Sequence, residues 1–165
     1  MLRRDARPGP LGRRSAAGVL LIGMMAAGLS LAWKPSGPPE ARGQDPPARP
    51  LRVVVHVNFA QTTRERTGLS NVDNMLKAAA EEGVPIEIEV VCHAEGIRLV
   101  EKARTELADE VADLIGRGVR FAACRNTMRQ RSITPEGLLP GVVIVPSGAY
   151  EVVRRQQDGA TYFKP

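Results

Sequence analysis

The chain has 165 residues, of which 43% are hydrophobic but only 4% are aromatic, so its core has to be built from aliphatic side chains. The net charge of +5 is concentrated at the N-terminus, where residues 1–32 hold five arginines and one aspartate, and the rest of the chain is close to neutral. This distribution argues against a basic body that binds nucleic acid, and two cysteines outside any CxxC pair argue against a cysteine-based zinc site.

The N-terminal residues follow the order of a secretory signal. An arginine-rich start precedes an apolar run over residues 16–32, which ends in small residues that suit cleavage after Ala32. We therefore predict a signal peptide at 1–32 and a periplasmic or otherwise exported protein. An uncleaved inner-membrane anchor over 16–32 is the alternative, and it is the only membrane contact that we predict. The Pro- and Gly-rich segment 33–50 is predicted to be a disordered linker.

Regular hydrophobic patterns predict one folded domain over residues 51–165. Runs of β-branched or alternating apolar residues predict strands over 52–58, 85–92, 119–124, 141–147 and 160–165. Apolar residues at helical spacing predict helices over 69–83, over a longer stretch ending at Gly116 or Gly118, and over 149–159, with a short helical turn over 126–132. Strands that alternate with helices predict an α/β fold with a mainly parallel sheet covered on both faces.

Polar and reactive residues stand where the predicted strands end. Asn58 ends the first strand, Cys92 and His93 end the second, Cys124 ends the third, and Ser147 ends the fourth. Ligands of open α/β sheets bind beyond the carboxyl ends of the strands, so we expect a site at this edge. The chain has no GxGxxG, P-loop, GxSxG or HExxH motif, which leaves nucleotide-binding enzymes and α/β-hydrolases without support and a thiol as the candidate chemistry.

Cys124 is a candidate reactive thiol because it lies at the junction between a strand and a predicted helical turn. Backbone N–H groups of that turn would lower the pKa of its thiol and so favour the nucleophilic thiolate. The same effect is expected from the positive charges of four arginines close in sequence, Arg120, Arg125, Arg129 and Arg131. The alternative is a buried cysteine that acts as a small hydrophobic residue. His93 could serve as a base or simply bond to backbone, and His56, inside the first strand, is expected to be a satisfied core residue.

The domain also resembles a known family, the DsrE/DsrF-like proteins of sulfur metabolism. The resemblance is carried by the segments VVVHVN, LSNVDNMLKAAAEEG, VVCHAEG, GVRFAACRNTMRQRS and VPSGAYEVVRRQQDGATYFKP, and more narrowly by a branch that shares GVRF-x-x-C-x-NTM. It runs from Leu51 to Pro165. The resemblance implies a three-layer α/β/α fold with a five-stranded parallel sheet, and assembly as a homo-oligomer, either a trimer or a hexamer.

The resemblance further implies a role for Cys124. In sulfur-relay members of the wider family, a cysteine at the end of the third strand carries sulfur as a persulfide, and Cys124 matches that position. His93 matches the usual histidine of the second-strand loop, and Ala94 stands where relatives often have glycine. The predicted function is an exported sulfur carrier or sulfurtransferase-like protein that exchanges sulfur with a donor or acceptor protein and needs no cofactor or metal. The candidate ligand-binding residues are Asn58, Arg125, Asn126 and Ser147.

Two other functions stay open at this point. The domain could be a non-catalytic oligomeric module that binds a small ligand or a partner in the crevice, with Cys124 incidental. It could also be a thiol redox sensor, because the resembled fold makes the second and third strands neighbours. Cys92 would then lie near Cys124 and act as a resolving cysteine.

Overall fold

The structure is a computed structural model that describes residues 49–165. The predicted signal peptide or anchor at 1–32 and the predicted linker at 33–50 lie outside the described residues, apart from positions 49 and 50. Within the described part of the chain, no helix combines the length and the apolar character needed to cross a bilayer.

Five strands form one sheet, and three of them are rich in Val and Ile. They are β1 (Leu51–Val57), β2 (Ile86–Cys92), β3 (Arg120–Cys124), β4 (Val143–Val145) and β5 (Thr161–Phe163). The order across the sheet is β4-β3-β2-β1-β5, and every neighbouring pair is parallel. The five-stranded parallel sheet of the predicted α/β fold is therefore confirmed.

Helices cover both faces of this sheet. They are α1 (Thr62–Glu82), α2 (Ala108–Gly116), α3 (Arg125–Gln130) and α4 (Gly148–Gln157), with short 3₁₀ helices at Ala94–Val100 and Pro135–Gly137. On one face, α1 and α2 contribute Val72 and Val111 to the larger hydrophobic cluster. On the other face, α4 contributes Val152 to a smaller cluster. The result is the predicted three-layer α/β/α arrangement.

Side-chain alternation along the strands sorts the core into these two clusters. On β1, Val55 and Val57 belong to the cluster under α1 and α2, whereas Val54 belongs to the cluster under α4. On β3, Phe121 belongs to the cluster under α1 and α2, and Ala122 belongs to the cluster under α4. The same alternation continues to the strand ends, so it decides on which face each side chain emerges at the carboxyl edge.

Two helical regions differ from the prediction. Helix α1 begins at Thr62 rather than near Leu69, although the residues in between include three Thr and one Gly, which have modest to weak helix propensity. An ion pair between buried Glu65 and Arg98 (Nη2 to Oε2, 2.6 Å) holds this segment against the first 3₁₀ helix. The long helical stretch predicted after β2 is divided into that 3₁₀ helix and α2. Both differences depend on contacts between segments distant in sequence.

Gly96 allows the loop after β2 to lie directly on the end of β1. A Cβ at Gly96 would be 2.3 Å from the carbonyl oxygen of Val57 and 2.8 Å from the backbone nitrogen of Asn58, which is closer than a side chain can approach backbone. The Val57 carbonyl also accepts a hydrogen bond from the His93 N–H at 3.1 Å. The two contacts hold the loop that carries His93 and Ala94 at the carboxyl edge.

The substitution Gly96→Ala is expected to lower the free energy of unfolding by about 1–3 kcal/mol, because the added Cβ has to push the loop off β1. Gly116→Ala is the matched control, since a Cβ at the end of α2 meets nothing within 4 Å. We expect the control to change the free energy of unfolding little or to raise it slightly. Denaturant titration of both variants measures the difference, and a Gly96→Ala variant as stable as the parent would contradict the close approach.

Candidate functional site

Four side chains converge at the carboxyl edge of the sheet, on the face covered by α4. His56 lies near the end of β1, His93 follows β2 and Cys124 ends β3, and each stands two residues beyond a side chain of the cluster under α4. Tyr162 comes from β5, which pairs with β1. The sequence predicted a site at this edge with His93 and Cys124, and the structure adds His56 and Tyr162 to it.

Hydrogen-bond donors surround the Cys124 thiol. Cys124 is the last residue of β3 and the N-cap of α3, and it is 4% exposed. Burial raises the pKa of the thiol, but hydrogen bonds from the Thr127 hydroxyl and from the backbone N–H groups of Gly148, Thr127 and Asn126 lower it more. The resulting pKa lies below the ordinary value for cysteine, so the nucleophilic thiolate is favoured.

Thr127 connects Cys124 to the loop after β2. Its buried hydroxyl donates to the Cys124 sulfur and accepts a hydrogen bond from the Ala94 N–H at 3.1 Å. Ala94 has a φ of 50°, in the left-handed region that favours glycine. Ala94 thus adopts a conformation that is typical of glycine. The Ala94 N–H fixes the orientation of the Thr127 hydroxyl, which in turn bonds the Cys124 thiol.

Arg120 does not have the role that its spacing from Cys124 suggested. Arg120 begins β3, at the opposite end of the strand from Cys124, and pairs with buried Glu89 (Nε to Oε1, 2.8 Å). Arg129 and Arg131 have polar partners of their own within the domain. Hydrogen bonds lower the pKa of the thiol. The prediction that nearby arginines do so is wrong for Arg120, because the extended strand places it far from Cys124, and it stays a prediction for Arg125, Arg129 and Arg131.

His56 and His93 form a pair of hydrogen-bonded rings, so His56 has the hydrogen-bond partners that were predicted for it, but it is half-buried and belongs to the site rather than to the core. Their Nε2 atoms are 2.6 Å apart, and His56 Nδ1 lies 2.8 Å from the hydroxyl oxygen of Tyr162. Burial, His93 and Lys164 lower the pKa of His56 to about 4, and burial and Lys164 lower the pKa of His93. Both rings are therefore neutral at neutral pH, and one proton lies between the two Nε2 atoms.

Gly148 lets His93 and Cys124 approach each other. A Cβ on this buried glycine would lie 2.7 Å from the Cβ of His93 and 3.2 Å from the Cβ of Cys124. Gly148 is the first residue of α4, whose N-cap Ser147 accepts a hydrogen bond from the Tyr150 N–H. Imidazole and thiol are thus neighbours on either side of one glycine, and any side chain there would separate them.

The other predicted ligand residues lie around this edge in different surroundings. Asn58 follows the end of β1 and is half-buried, and Ser147 caps α4. Arg125 and Asn126 begin α3 and are exposed, although the backbone N–H of Asn126 bonds the thiol. Ligand binding by these four side chains stays a prediction. Within residues 49–165, no three His, Cys, Asp or Glu side chains are grouped as metal ligands would be.

Cys92 and Cys124 are free thiols that project to opposite faces of the sheet. Cys92 is in register with Ala123 and is fully buried in the cluster under α1 and α2, where burial and Glu65 raise the pKa of its thiol. Cys124 follows Ala123 and therefore points the other way. Because the two Cβ vectors diverge, the geometry disfavours a Cys92–Cys124 disulfide and with it the redox-sensor alternative.

Comparison with known proteins agrees with this architecture. The model of the DsrE/DsrF-like family matches residues 52–165. The chain belongs to this family. A protein of unknown function from Methanobacterium thermoautotrophicum, MTH1491, has a similar solved structure, with 36% identity, a TM-score of 0.65, and coverage of 70% of this chain and 99% of that one. The ychN protein from E. coli shares the fold at 13% identity and a TM-score of 0.55, with the same coverage. The comparison with curated proteins returned no match.

Four site residues of this DsrE/DsrF-like protein escaped the sequence reasoning: His56, Thr127, Gly148 and Tyr162. A signal existed for His56, because a polar side chain two residues after Val54 has to emerge on the same face at the strand end. Thr127 also had a signal, since it lies three residues after Cys124 in the predicted helical turn, where a hydroxyl can reach back to the preceding side chain. Tyr162 had none, because nothing in its local sequence indicates that β5 pairs with β1.

The substitution Thr127→Val is expected to raise the pKa of the Cys124 thiol, because it removes one donor to the sulfur and the acceptor for the Ala94 N–H. Thr127→Ser, which keeps the hydroxyl, is the matched control. The rate of alkylation of Cys124 as a function of pH measures the shift, which we expect toward higher pH in the valine variant alone. Identical profiles for the parent and the valine variant would show that the hydroxyl does not act on the thiol.

Proposed function

We propose that this protein is a sulfur carrier or sulfurtransferase-like protein that holds sulfane sulfur as a persulfide on Cys124. The observation that carries the proposal is the set of four hydrogen-bond donors at the Cys124 sulfur, which lower the pKa of the thiol below its ordinary value and so favour the thiolate. Membership of the DsrE/DsrF-like family, which is broadly one of sulfur relay, supports the same chemistry. Fold alone would not support it, because one fold hosts many activities.

The proposed reaction has two balanced steps. The Cys124 thiolate attacks the outer sulfur of thiosulfate, a bond forms between the two sulfur atoms, and sulfite leaves with the electron pair of the broken S–S bond. An acceptor thiolate then attacks the outer sulfur of the persulfide, and the electron pair of that S–S bond returns to Cys124. No external oxidant or reductant is needed. The fixed donors around Cys124 stabilise the sulfur anion from which the first step starts and with which the second step ends.

The small exposed fraction of Cys124 restricts the donors that can reach it. At 4% exposure, the sulfur is accessible to a small inorganic species more readily than to a folded protein. Thiosulfate and polysulfide are therefore the donors of choice for a first experiment. A partner protein would have to present its sulfur on a protruding segment.

Mass spectrometry of the purified domain after exposure to thiosulfate or polysulfide tests the proposal. We expect the mass of an added sulfur atom on the peptide containing Cys124, its removal by a thiol acceptor, and its absence from Cys124→Ser. Cys92→Ser is the matched control and is expected to retain the adduct, because Cys92 is buried on the opposite face of the sheet. An unmodified Cys124 with every donor would contradict sulfur carriage and favour the non-catalytic binding module.

We also propose that residues 1–32 direct export, on the basis of the arginine-rich start and the apolar run that follows it. Fractionation of the native host, followed by N-terminal sequencing, is expected to find the protein outside the cytoplasm and to show a chain beginning at Trp33. Full-length protein in the membrane fraction would indicate the anchor instead, and full-length protein in the cytoplasm would contradict export. The trimer or hexamer implied by the resemblance stays a prediction.

A further inference from the structure

We infer that Tyr162, His56 and His93 form a proton relay that links Cys124 to solvent. The inference rests on the proposed function, because it assigns a path to the proton that leaves or rejoins the Cys124 sulfur during sulfur transfer. Tyr162 and His56 are positioning residues in this scheme, since they act through His93 and not on the sulfur itself.

The relay is hydrogen-bonded from its exposed end as far as His93, and the step from the Cys124 thiol to His93 is the part that we infer. The Tyr162 side chain is 41% exposed, and its hydroxyl lies 2.8 Å from His56 Nδ1. His56 Nε2 lies 2.6 Å from His93 Nε2, and both distances are those of hydrogen bonds. His93 in turn adjoins Cys124 across Gly148. Tyr162 lies on β5, His56 lies on β1 and His93 directly follows β2, so the path depends on the order of the strands in the sheet.

Two arrangements of the protons satisfy the same hydrogen bonds. In the first, His93 donates from Nε2 to His56, His56 donates from Nδ1 to the Tyr162 oxygen, and the phenol proton faces solvent. In the second, Tyr162 donates to His56 Nδ1, His56 donates from Nε2 to His93, and His93 carries its proton on Nδ1. The first arrangement becomes the second when a proton enters at His93 Nδ1, each shared proton moves along its own hydrogen bond, and Tyr162 loses its solvent-facing proton.

This conversion accounts for the proton that Cys124 loses or regains. When His93 Nδ1 takes the thiol proton, the first arrangement becomes the second, and Tyr162 releases one proton to water. The thiolate that remains is then free to attack the sulfane donor. The reverse movement returns a proton to Cys124 after the persulfide has been discharged. No residue of the relay changes its net charge over the step, so no ionised histidine has to be stabilised in the partly buried site.

The surroundings keep the relay in its neutral form. The titratable groups that face the two rings are Lys164 and Tyr162 at β5 and the Cys124 thiol at β3. Burial and the positive charge of Lys164 both lower the pKa values of the two histidines. A neutral pair can accept a proton at one end and release one at the other. A protonated pair would donate from its outer nitrogens and could not pass a proton from the thiol.

The test is single-turnover transfer of sulfur from thiosulfate to Cys124, followed across pH in the parent protein and in Tyr162→Phe. We expect the variant to be slower by on the order of tenfold below the pKa of the thiol, less than direct acid–base groups contribute. Above that pKa the thiol is already ionised, and the two rates are expected to converge. A structural defect would instead slow transfer at every pH.

Tyr150→Phe is the matched control, because Tyr150 is the other tyrosine of the chain and is 65% exposed on α4, outside the relay. Its rates are expected to equal those of the parent. His56→Gln is a second test variant, since an amide can bond both neighbours but cannot pass a proton, and we expect it to reproduce the loss. Unchanged rates in both relay variants, or slowing that is independent of pH, would overturn the inference.

Nitrogen NMR of the imidazole rings separates failure of the relay from failure of the proposed function. Tyr162→Phe removes the partner of His56 Nδ1, so we expect the tautomer populations of both His56 and His93 to change, and Tyr150→Phe to leave them unchanged. This measurement needs no sulfur transfer. If the parent protein acquires no sulfur, the proposed function fails, but the tautomer populations still test the relay. Unchanged tautomer populations in Tyr162→Phe would overturn the relay.

Discussion

Hydrogen bonds to the Cys124 sulfur are the interaction on which the chemistry of this protein depends. The sheet holds two buried cysteines, and burial by itself favours the neutral thiol of both. Cys92 lies among aliphatic side chains and has a raised pKa, whereas Cys124 receives four donors and has a lowered one. A hydrogen bond to a charged group contributes about 1.5–3 kcal/mol, so a few such bonds are enough to reverse the effect of burial.

The fold keeps these donors in place. Three of the four are backbone N–H groups from the start of α3 and the start of α4, and the fourth is the Thr127 hydroxyl, oriented by Ala94. Backbone groups at the ends of packed elements need little reorganisation when charge develops on sulfur. Two close approaches at glycine, at Gly96 and Gly148, bring the second-strand loop and α4 to the same edge. The site is therefore assembled by rigid parts of a small aliphatic domain.

Local patterns in the sequence were enough for the architecture and for the centre of the site. Period-two and period-3.6 repeats predicted the strands and most helices, and the rule that parallel strands present ligands at their carboxyl ends selected Cys124 and His93. Local patterns could not predict the contacts between segments that are distant in the sequence. The bond between His56 and Tyr162 spans 106 positions and requires β5 to lie beside β1. Arg120 is the opposite case: it is close to Cys124 in the sequence but lies at the other end of the extended strand, far from the thiol.

Ultraviolet titration of the thiolate in a Cys92→Ala variant tests the central claim most directly, because Cys124 is then the sole thiol of the chain. Cys124→Ser, which retains only the buried Cys92, supplies the baseline. The account predicts a transition for Cys124 below the ordinary pKa of cysteine, and none for Cys92 over the same range. A transition for Cys124 at or above the ordinary value would contradict the account, because the donors around the sulfur would then not produce a thiolate.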